Sequence, residues 1–565
     1  MPAERSTRTD RRPWAARVAA AAEDPRVLCA IPLAYLVMDI VGTVRAYTPV
    51  PTHDMWEGAL LSYLRALENG FLGETFSFWN EHRIVLSKLL FWIDFGVFDA
   101  RLAFLTIANL LLLLLLWLAL CALGRKLISS RETWLIASAS LSALSLSWLQ
   151  RENLDSPFQS QFILAYLVPL LAFLAMAKAL SAPERVRWLV AAMALGTASL
   201  GTMANGLLVF PLLLLMQGLN DIHVRRVRWL RLGIFFLTGA ILTALWFKGY
   251  ASTATAVPTA GAFLSFAATF IGFPFADLTG SPAVGVLGAL IYVAALLFIV
   301  LKRWRRLLEP HGAALLALIG FVLATAALTA YGRAADLANA ALVSRYATPS
   351  LLAWAALALL FADAFQGRAD ANRIFARGGV ALALIFLPAQ VLRPLGDGGP
   401  ALVHGSRWAA LAFELDIPDP KATARIFHVQ SSEQYEVLRD IAGQLAASHK
   451  SIFADPMWAD AIGRLGGPAS PGYRACENTV ESIASIPSHD RYRLVHGWAV
   501  DLATWRQPRF VYFAAKGEIV GLAVRGLPRY DIFDPLYPRN GYRGFDGYVL
   551  SAHAGRFAVV CPTPE

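Results

Sequence analysis

Long apolar blocks alternate with short basic loops along the first two-thirds of the chain, and a turn-rich, mixed pattern follows. The blocks are nearly continuous rather than periodic; Leu110 to Leu116 is an unbroken leucine run. A helix must supply about 20 mostly apolar residues to keep its backbone bonded inside hydrocarbon. The pattern therefore predicts about eleven transmembrane helices, at 27–46, 102–123, 133–149, 161–180, 187–204, 206–220, 230–247, 283–301, 313–331, 347–365 and 379–393. Two shorter stretches, 84–98 and 263–276, carry Ser87, Lys88, Trp92 and Asp94 in one and Pro274 in the other. Both are expected to lie along the membrane surface as amphipathic helices.

Charge decides that assignment. With neither short stretch crossing, one face receives the basic N-terminus (Arg5, Arg8, Arg11, Arg12, Arg17 and Arg26) and the loops at Arg125-Lys126-Arg131, Lys178 to Arg187, Arg225 to Arg231, Lys302 to Arg306 and Arg368 to Arg377. That face holds 23 Lys and Arg, against nine in the opposite loops. Positive loops stay inside, so the N-terminus is expected in the cytoplasm and everything after the last helix outside it. The protein reads as a multi-pass protein of a bacterial inner membrane, its first span an uncleaved anchor.

From about residue 394 the character changes. His404 to Asp419 reads as a linker-like stretch, and Ser432 to Lys450 as a helix with apolar Tyr435, Val437, Leu438, Ile441 and Leu445. Tyr492–Val500, Phe510–Ala515, Glu518–Val524, Tyr548–Ser551 and Phe557–Val560 read as short strands divided by turns, which suits a small antiparallel sandwich at about 490–562. The expected domains are a cytoplasmic segment 1–26, a transmembrane body 27–393 with a first outer loop at 47–101, and an extracytoplasmic α+β domain 394–565. No internal repeat is evident.

Composition agrees: 57% of the 565 residues are hydrophobic and 16% charged. The net charge of +10 is accounted for by membrane-flanking loops and does not point to nucleic acid. Cys29 and Cys121 lie in apolar blocks, whereas Cys476 and Cys561 bracket the C-terminal domain. In an oxidising compartment the latter two suit a disulfide; otherwise they are two unrelated buried thiols.

The outer loops then carry the chemistry. The first holds His53-Asp54-Met55-Trp56-Glu57 and, further on, Glu81-His82-Arg83; later ones hold Arg151-Glu152, Lys248, Arg333 and Arg345-Tyr346. Polar groups gathered at one membrane face are candidates for function. A carboxylate, Asp54 or Glu57, can deprotonate an acceptor hydroxyl, and Arg345, Arg333 and Lys248 can hold a leaving phosphate. His53, Glu81, His82, Arg83, Tyr346, Arg151 and Glu152 are candidate substrate contacts. Each has a structural alternative. Asp54 can cap a helix, Glu57 can complement a helix dipole, and Arg345-Tyr346 can anchor an interface. Arg151 and Glu152 can pair with each other. His53, Asp54 and Glu57 together could also hold a divalent cation.

An acidic residue after the first helix, a long first outer loop, arginine-bearing outer loops and a C-terminal outer domain resemble the GT-C class of polyprenyl-phosphate-sugar glycosyltransferases. The likeness covers roughly residues 20–393 in layout. In that class the carboxylate of the first outer loop is the catalytic base, a position Asp54 takes here. Two adjacent acids are common there, whereas Asp54 and Glu57 stand three apart. The resemblance implies transfer of a sugar from a polyprenyl-phosphate donor to a cell-envelope glycan, glycolipid or protein, with inversion and without a nucleotide. The stretches His496 to Asp501 and Arg529-Tyr530-Asp531 are similar to a β-sandwich of bacterial polysaccharide-synthesis proteins. A non-catalytic scaffold for polysaccharide assembly and a lipid-linked-sugar flippase are the rival readings. The mid-span segments are nearly charge-free, which argues against transport. No G-x-x-x-x-G-K-[ST] loop occurs, which argues against a nucleotide-driven pump.

Overall fold

The computed structural model describes residues 24–562, apart from 183, 185, 253–255, 336–339, 367–368, 430, 470–471, 488, 502–508 and 530–540, and apart from the side chains of 369, 371–373, 375 and 376. The basic N-terminus up to residue 23, Arg185, Arg368, Tyr530 and Asp531 lie outside the described residues. Two compact units partition the chain. Residues 1–40, 111–151 and 162–392 form the first, and residues 41–110, 152–161 and 393–565 the second. The first outer loop thus belongs to the same unit as the C-terminal region.

Among the described residues nine helices are long and apolar enough to cross a membrane, against the eleven expected. The stretches at 133–149 and 187–204 form shorter helices, Arg131–Ser145 and Val186–Ser199, of 15 and 14 residues. At 1.5 Å per residue these are about 21–23 Å long, under the roughly 30 Å of a hydrocarbon core. The first is stopped where Ser147 leaves the helix and accepts a hydrogen bond from the Leu149 N–H, starting a separate turn at Trp148–Gln150. The second stops before a turn at Gly201 and Thr202.

Within the first unit, Pro310–Arg333 and Ala347–Phe365 are buried along most of their length by alanine-rich faces. Pro282 and Pro310 open their helices, where a missing N–H is harmless. The outer helices turn large apolar side chains away from the protein, Leu33 at 62% exposure and Phe236 at 62%. The expected surface helix 263–276 is instead a bent pair, Ala260–Ile271 and Phe273–Thr279, meeting at 85°. Pro274 cannot donate to Phe270, so the first helix cannot run on. At the corner a Cβ on Gly272 would stand 1.7 Å from the Gly285 carbonyl oxygen. The freed Ile271 carbonyl accepts from Ser350 Oγ at 2.7 Å and Trp354 Nε1 at 3.0 Å.

In the second unit, the expected linker at 404–419 is largely a helix, Gly398–Glu414. Its buried His404, Trp408 and Leu411 recur at helical spacing, and the helix packs against the strand Glu518–Leu527, which explains why a stretch of mixed polarity folds. The expected helix from Ser432 spans Ser432–Ala447.

The strands are β1 (Tyr473–Ala475), β2 (Glu477–Ile486), β3 (His489–Val500), β4 (Phe510–Ala515), β5 (Glu518–Leu527), β6 (Gly544–Leu550) and β7 (Ala558–Pro562). They make a single antiparallel sheet in the order β1-β7-β4-β5-β6-β3-β2, where a two-sheet sandwich was expected. Only Cys476 separates β1 from β2, yet these two strands are the opposite ends of that order. The sheet therefore curls until its edges meet at Cys476, enclosing Val495, Val511, Phe513, Phe545 and Val549. β5 and β6 are buried on both faces, by this interior and by the helix Gly398–Glu414. Cys476 and Cys561 form a disulfide inside the curl.

Candidate functional site

The loop after the first helix is held rigidly within the second unit. The His53 N–H donates to the Ile426 carbonyl at 2.5 Å, with His53 itself at φ 50° and its side chain exposed. Trp56 is buried and its ring lies 5.8 Å from that of Phe413. A Cβ on Gly58 would stand 2.8 Å from the rings of Phe158 and Trp79, so the turn is packed on both sides. Residues Met55–Leu61 form a π-helical turn and Ser62–Asn69 continue as α-helix. Such widened turns recur at functional sites.

Asp54 stands at the start of that turn, half-buried. Its side chain accepts no capping hydrogen bond, so the capping alternative fails for the side chain. Glu57 differs: it accepts from Gln434 Nε2 at 2.9 Å, on the helix Ser432–Ala447. Among the described residues no group of three or more His, Cys, Asp or Glu is arranged to hold a metal ion, so His53, Asp54 and Glu57 do not make the divalent site they could have formed.

The Glu81-His82-Arg83 segment is a tight loop closed by paired backbone hydrogen bonds between Trp79 and His82, both 2.9 Å. Arg83 donates to the Phe76 carbonyl and lies 4.0 Å over the Phe78 ring, so much of its guanidinium serves its own loop. Below it, Lys88 is 1% exposed and reaches Ser77 Oγ at 2.6 Å and Glu74 Oε1 at 3.3 Å. Burial pushes the Lys88 amine down against the pull of Glu74. The Asp94 carboxyl is pushed up to about 6 by burial, while the Leu102 N–H and other backbone donors oppose the shift.

The remaining candidates fall elsewhere. Glu152 opens a short helix of the second unit. Arg151, exposed, belongs to the first unit, as do exposed Lys248, Arg333 at the end of Pro310–Arg333, and Arg345 with Tyr346 in a turn before Ala347–Phe365. The Arg345 guanidinium lies 5.8 Å from the Tyr346 ring centre, and Tyr346 packs between Phe162 and Phe270.

Two groups escaped the sequence reading. In the second unit Asp546 accepts from His404 Nε2 at 2.9 Å and His496 Nδ1 at 2.8 Å. His496 Nε2 lies 3.3 Å from Glu481, which also pairs with Arg529 at 2.6 Å. Burial works against the Asp546 charge, yet the two imidazole bonds hold its carboxyl down at about 2. The bond to Asp546 raises His496, with burial opposing. Only the β2–β3–β6 register and the unforeseen helix at 398–414 bring these residues together. In the first unit Asp39 sits fully buried inside Pro25–Ala46, bonded to Gln390 Nε2 at 2.9 Å. Gln390 also accepts from the Trp148 N–H at 2.7 Å. This apolar helix, long enough to cross a membrane, therefore carries an ionisable group that its apolar neighbours concealed.

Comparison of the chain with protein-family models, with curated proteins and with solved structures finds no match.

Proposed function

We propose that the chain is a membrane-embedded glycosyltransferase of GT-C type, moving a sugar from a polyprenyl-phosphate donor to a cell-envelope glycan, glycolipid or protein on the outer face. The observation that carries this reading is the contrast between its two candidate bases. Glu57 is engaged by Gln434, whereas the half-buried Asp54 carboxylate serves no cap at the head of a π-helical turn. A base must be fixed in place yet have its oxygens available to the proton it removes. The packing of Trp56 and Gly58 supplies the first condition and the missing cap bond supports the second.

In this mechanism Asp54 takes the proton of the acceptor hydroxyl as its oxygen attacks the anomeric carbon. The bond to the lipid phosphate breaks on the opposite side, which inverts the centre. Arg345, Arg333 and Lys248 are the cations proposed to neutralise the departing phosphate. The proposed topology keeps eleven crossings. If the two short helices did not cross, the Lys178 to Arg187 loop would move to the outer face against the charge rule. Ten of the fifteen residues in Arg131–Ser145 are buried, and a span shielded by protein need not match the full hydrocarbon thickness.

Asp39 favours a second reading. A carboxylate inside a span is a common mark of transport, which would make the protein a carrier or flippase of lipid-linked sugar. Lipid extracts from cells carrying Asp54→Asn, Asp39→Asn or the unaltered protein separate the two. Accumulation of a polyprenyl-phosphate-linked sugar with Asp54→Asn alone supports transfer. Accumulation with Asp39→Asn alone supports transport. No accumulation with Asp54→Asn removes the enzymatic reading.

A further inference from the structure

The helix Gly398–Glu414 carries one more cation, Arg407, at a small recess that is open to solvent in the second unit. Arg407 is part-buried, and it makes no hydrogen bond or ion pair to any described residue. Arg509 lines the same recess. Asp455 is the carboxylate there, and both its oxygens are occupied. Oδ1 caps the helix Pro456–Gly463 through the Met457 N–H at 3.0 Å, and Oδ2 lies 3.3 Å from Arg509. Trp458 and Phe510, edge to face at 5.7 Å, form an apolar wall.

Two guanidiniums thus share one committed carboxylate, leaving the recess with an excess positive charge. Burial lowers the proton affinity of Arg407 and the charge of Arg509 lowers it further, while Asp455 pulls the other way. Such an arrangement favours a negative group that enters the recess. A planar guanidinium with free N–H groups offers the paired donors that match two oxygens of a carboxylate or phosphate.

We infer that Arg407 and Arg509 form a binding site for an oxyanion, either the carboxylate of an acidic sugar or a phosphate group. The recess has a hydrophobic wall beside the two guanidiniums. The site does not depend on Asp54, so its failure would leave the transfer reading untouched.

The test is calorimetric titration of the full chain in lipid nanodiscs with inorganic phosphate, glucuronic acid and, as a neutral control, glucose. At least one anion is expected to bind at millimolar concentration, while glucose does not. Phosphate alone, glucuronic acid alone, or both would identify which source of the shared chemistry the site accepts. Arg407→Gln and Arg509→Gln should each weaken binding about tenfold or more, the usual effect of losing a charged hydrogen bond. Arg407→Lys, which keeps charge but loses the fork, should fall between. Arg464→Gln, which alters an arginine paired with Asp460 outside the recess, should bind as the unaltered protein does. Arg509 is 53% exposed, so its variant keeps the test valid if Arg407→Gln fails to fold. Absence of binding by both anions, or equal affinity in the Gln variants, would overturn the assignment.

Discussion

Replacing Cys476 and Cys561 together by serine removes the bond that fastens β1 to β7 beside the seam of the curled sheet. The two cysteines are 85 positions apart. The loop-entropy relation for a closure of that length gives about 4.6 kcal/mol of stability at 25 °C, and native disulfides in practice contribute about 2–5. For a unit of some 150–250 residues each kcal/mol moves the midpoint by about 2–4 °C, so a fall of about 5–15 °C is expected. Thermal unfolding of the full chain in nanodiscs, followed by proteolysis within 473–562, measures it. The same pair reports on sidedness. Protein drawn from its own membranes into an alkylating agent should show both sulfurs protected, because a disulfide persists outside the cytoplasm and not within it. Because Cys29 and Cys121 are free thiols, they are first replaced by serine; alkylation of Cys476 and Cys561 in that background would refute the outward placement of the C-terminal region, and with it the proposed face for Asp54. An unchanged melting midpoint in the double serine variant would refute the closure argument.

Other outcomes follow from single sites. Asp54→Asn should lower sugar transfer by about 100-fold or more, the usual worth of a general base, with Glu57→Gln lowering it less; initial rates in nanodiscs compare them. The Asp546–His pairs set a pH window. Because Asp546 is depressed to about 2, its contribution is complete above roughly pH 4 and is lost as pH falls toward 2. Because His496 is raised, its contribution is complete below roughly pH 6.5 and is lost as pH rises through the raised value. Denaturation midpoints across pH should therefore be flat from about 4 to 6.5, and Asp546→Asn should flatten both shoulders. Lys88→Met should destabilise the second unit by about 1–3 kcal/mol, since Glu74 is left with only the Ser62 and Ser77 hydroxyls, and adding Glu74→Gln should restore part of that loss on the same denaturation curves. Gly272→Ala should cost more than about 2 kcal/mol, since the Gly285 carbonyl occupies the position of the new methyl; a midpoint equal to that of the parent would show that the corner can open.

The helices were legible wherever an apolar run was long, because burial in hydrocarbon or in protein leaves the same signature. The two shortened helices were not, since side chains with apolar character continue through the turns that end them. The helix at 398–414 was hidden by Gly398, Gly399 and Pro400 at its start and by polar His404, Ser406 and Arg407 inside it. Its apolar stripe shows only once β5 is there to receive it. β2 was missed for a complementary reason: most of it is exposed on both faces, so no alternation of polar and apolar residues marks it. The position of Asp54 was readable from the layout of the loops. Its contrast with Glu57 was not, because Gln434 lies 377 positions away.

That remote glutamine is one of several ties between the two ends of the chain within the second unit. The Thr48 and Ser406 hydroxyls bond at 2.7 Å, and Ser451 Oγ donates to the Pro49 carbonyl at 2.6 Å. Lys450 Nζ reaches the Phe95 carbonyl at 2.5 Å. A cut made at residue 393, where the hydropathy changes, would sever a single folding unit and leave its amino-terminal portion without a scaffold. An exchange of tails between homologous chains would accordingly have to carry residues 41–110 and 152–161 along with the tail, since these pieces must be matched to one another as the halves of a mould are.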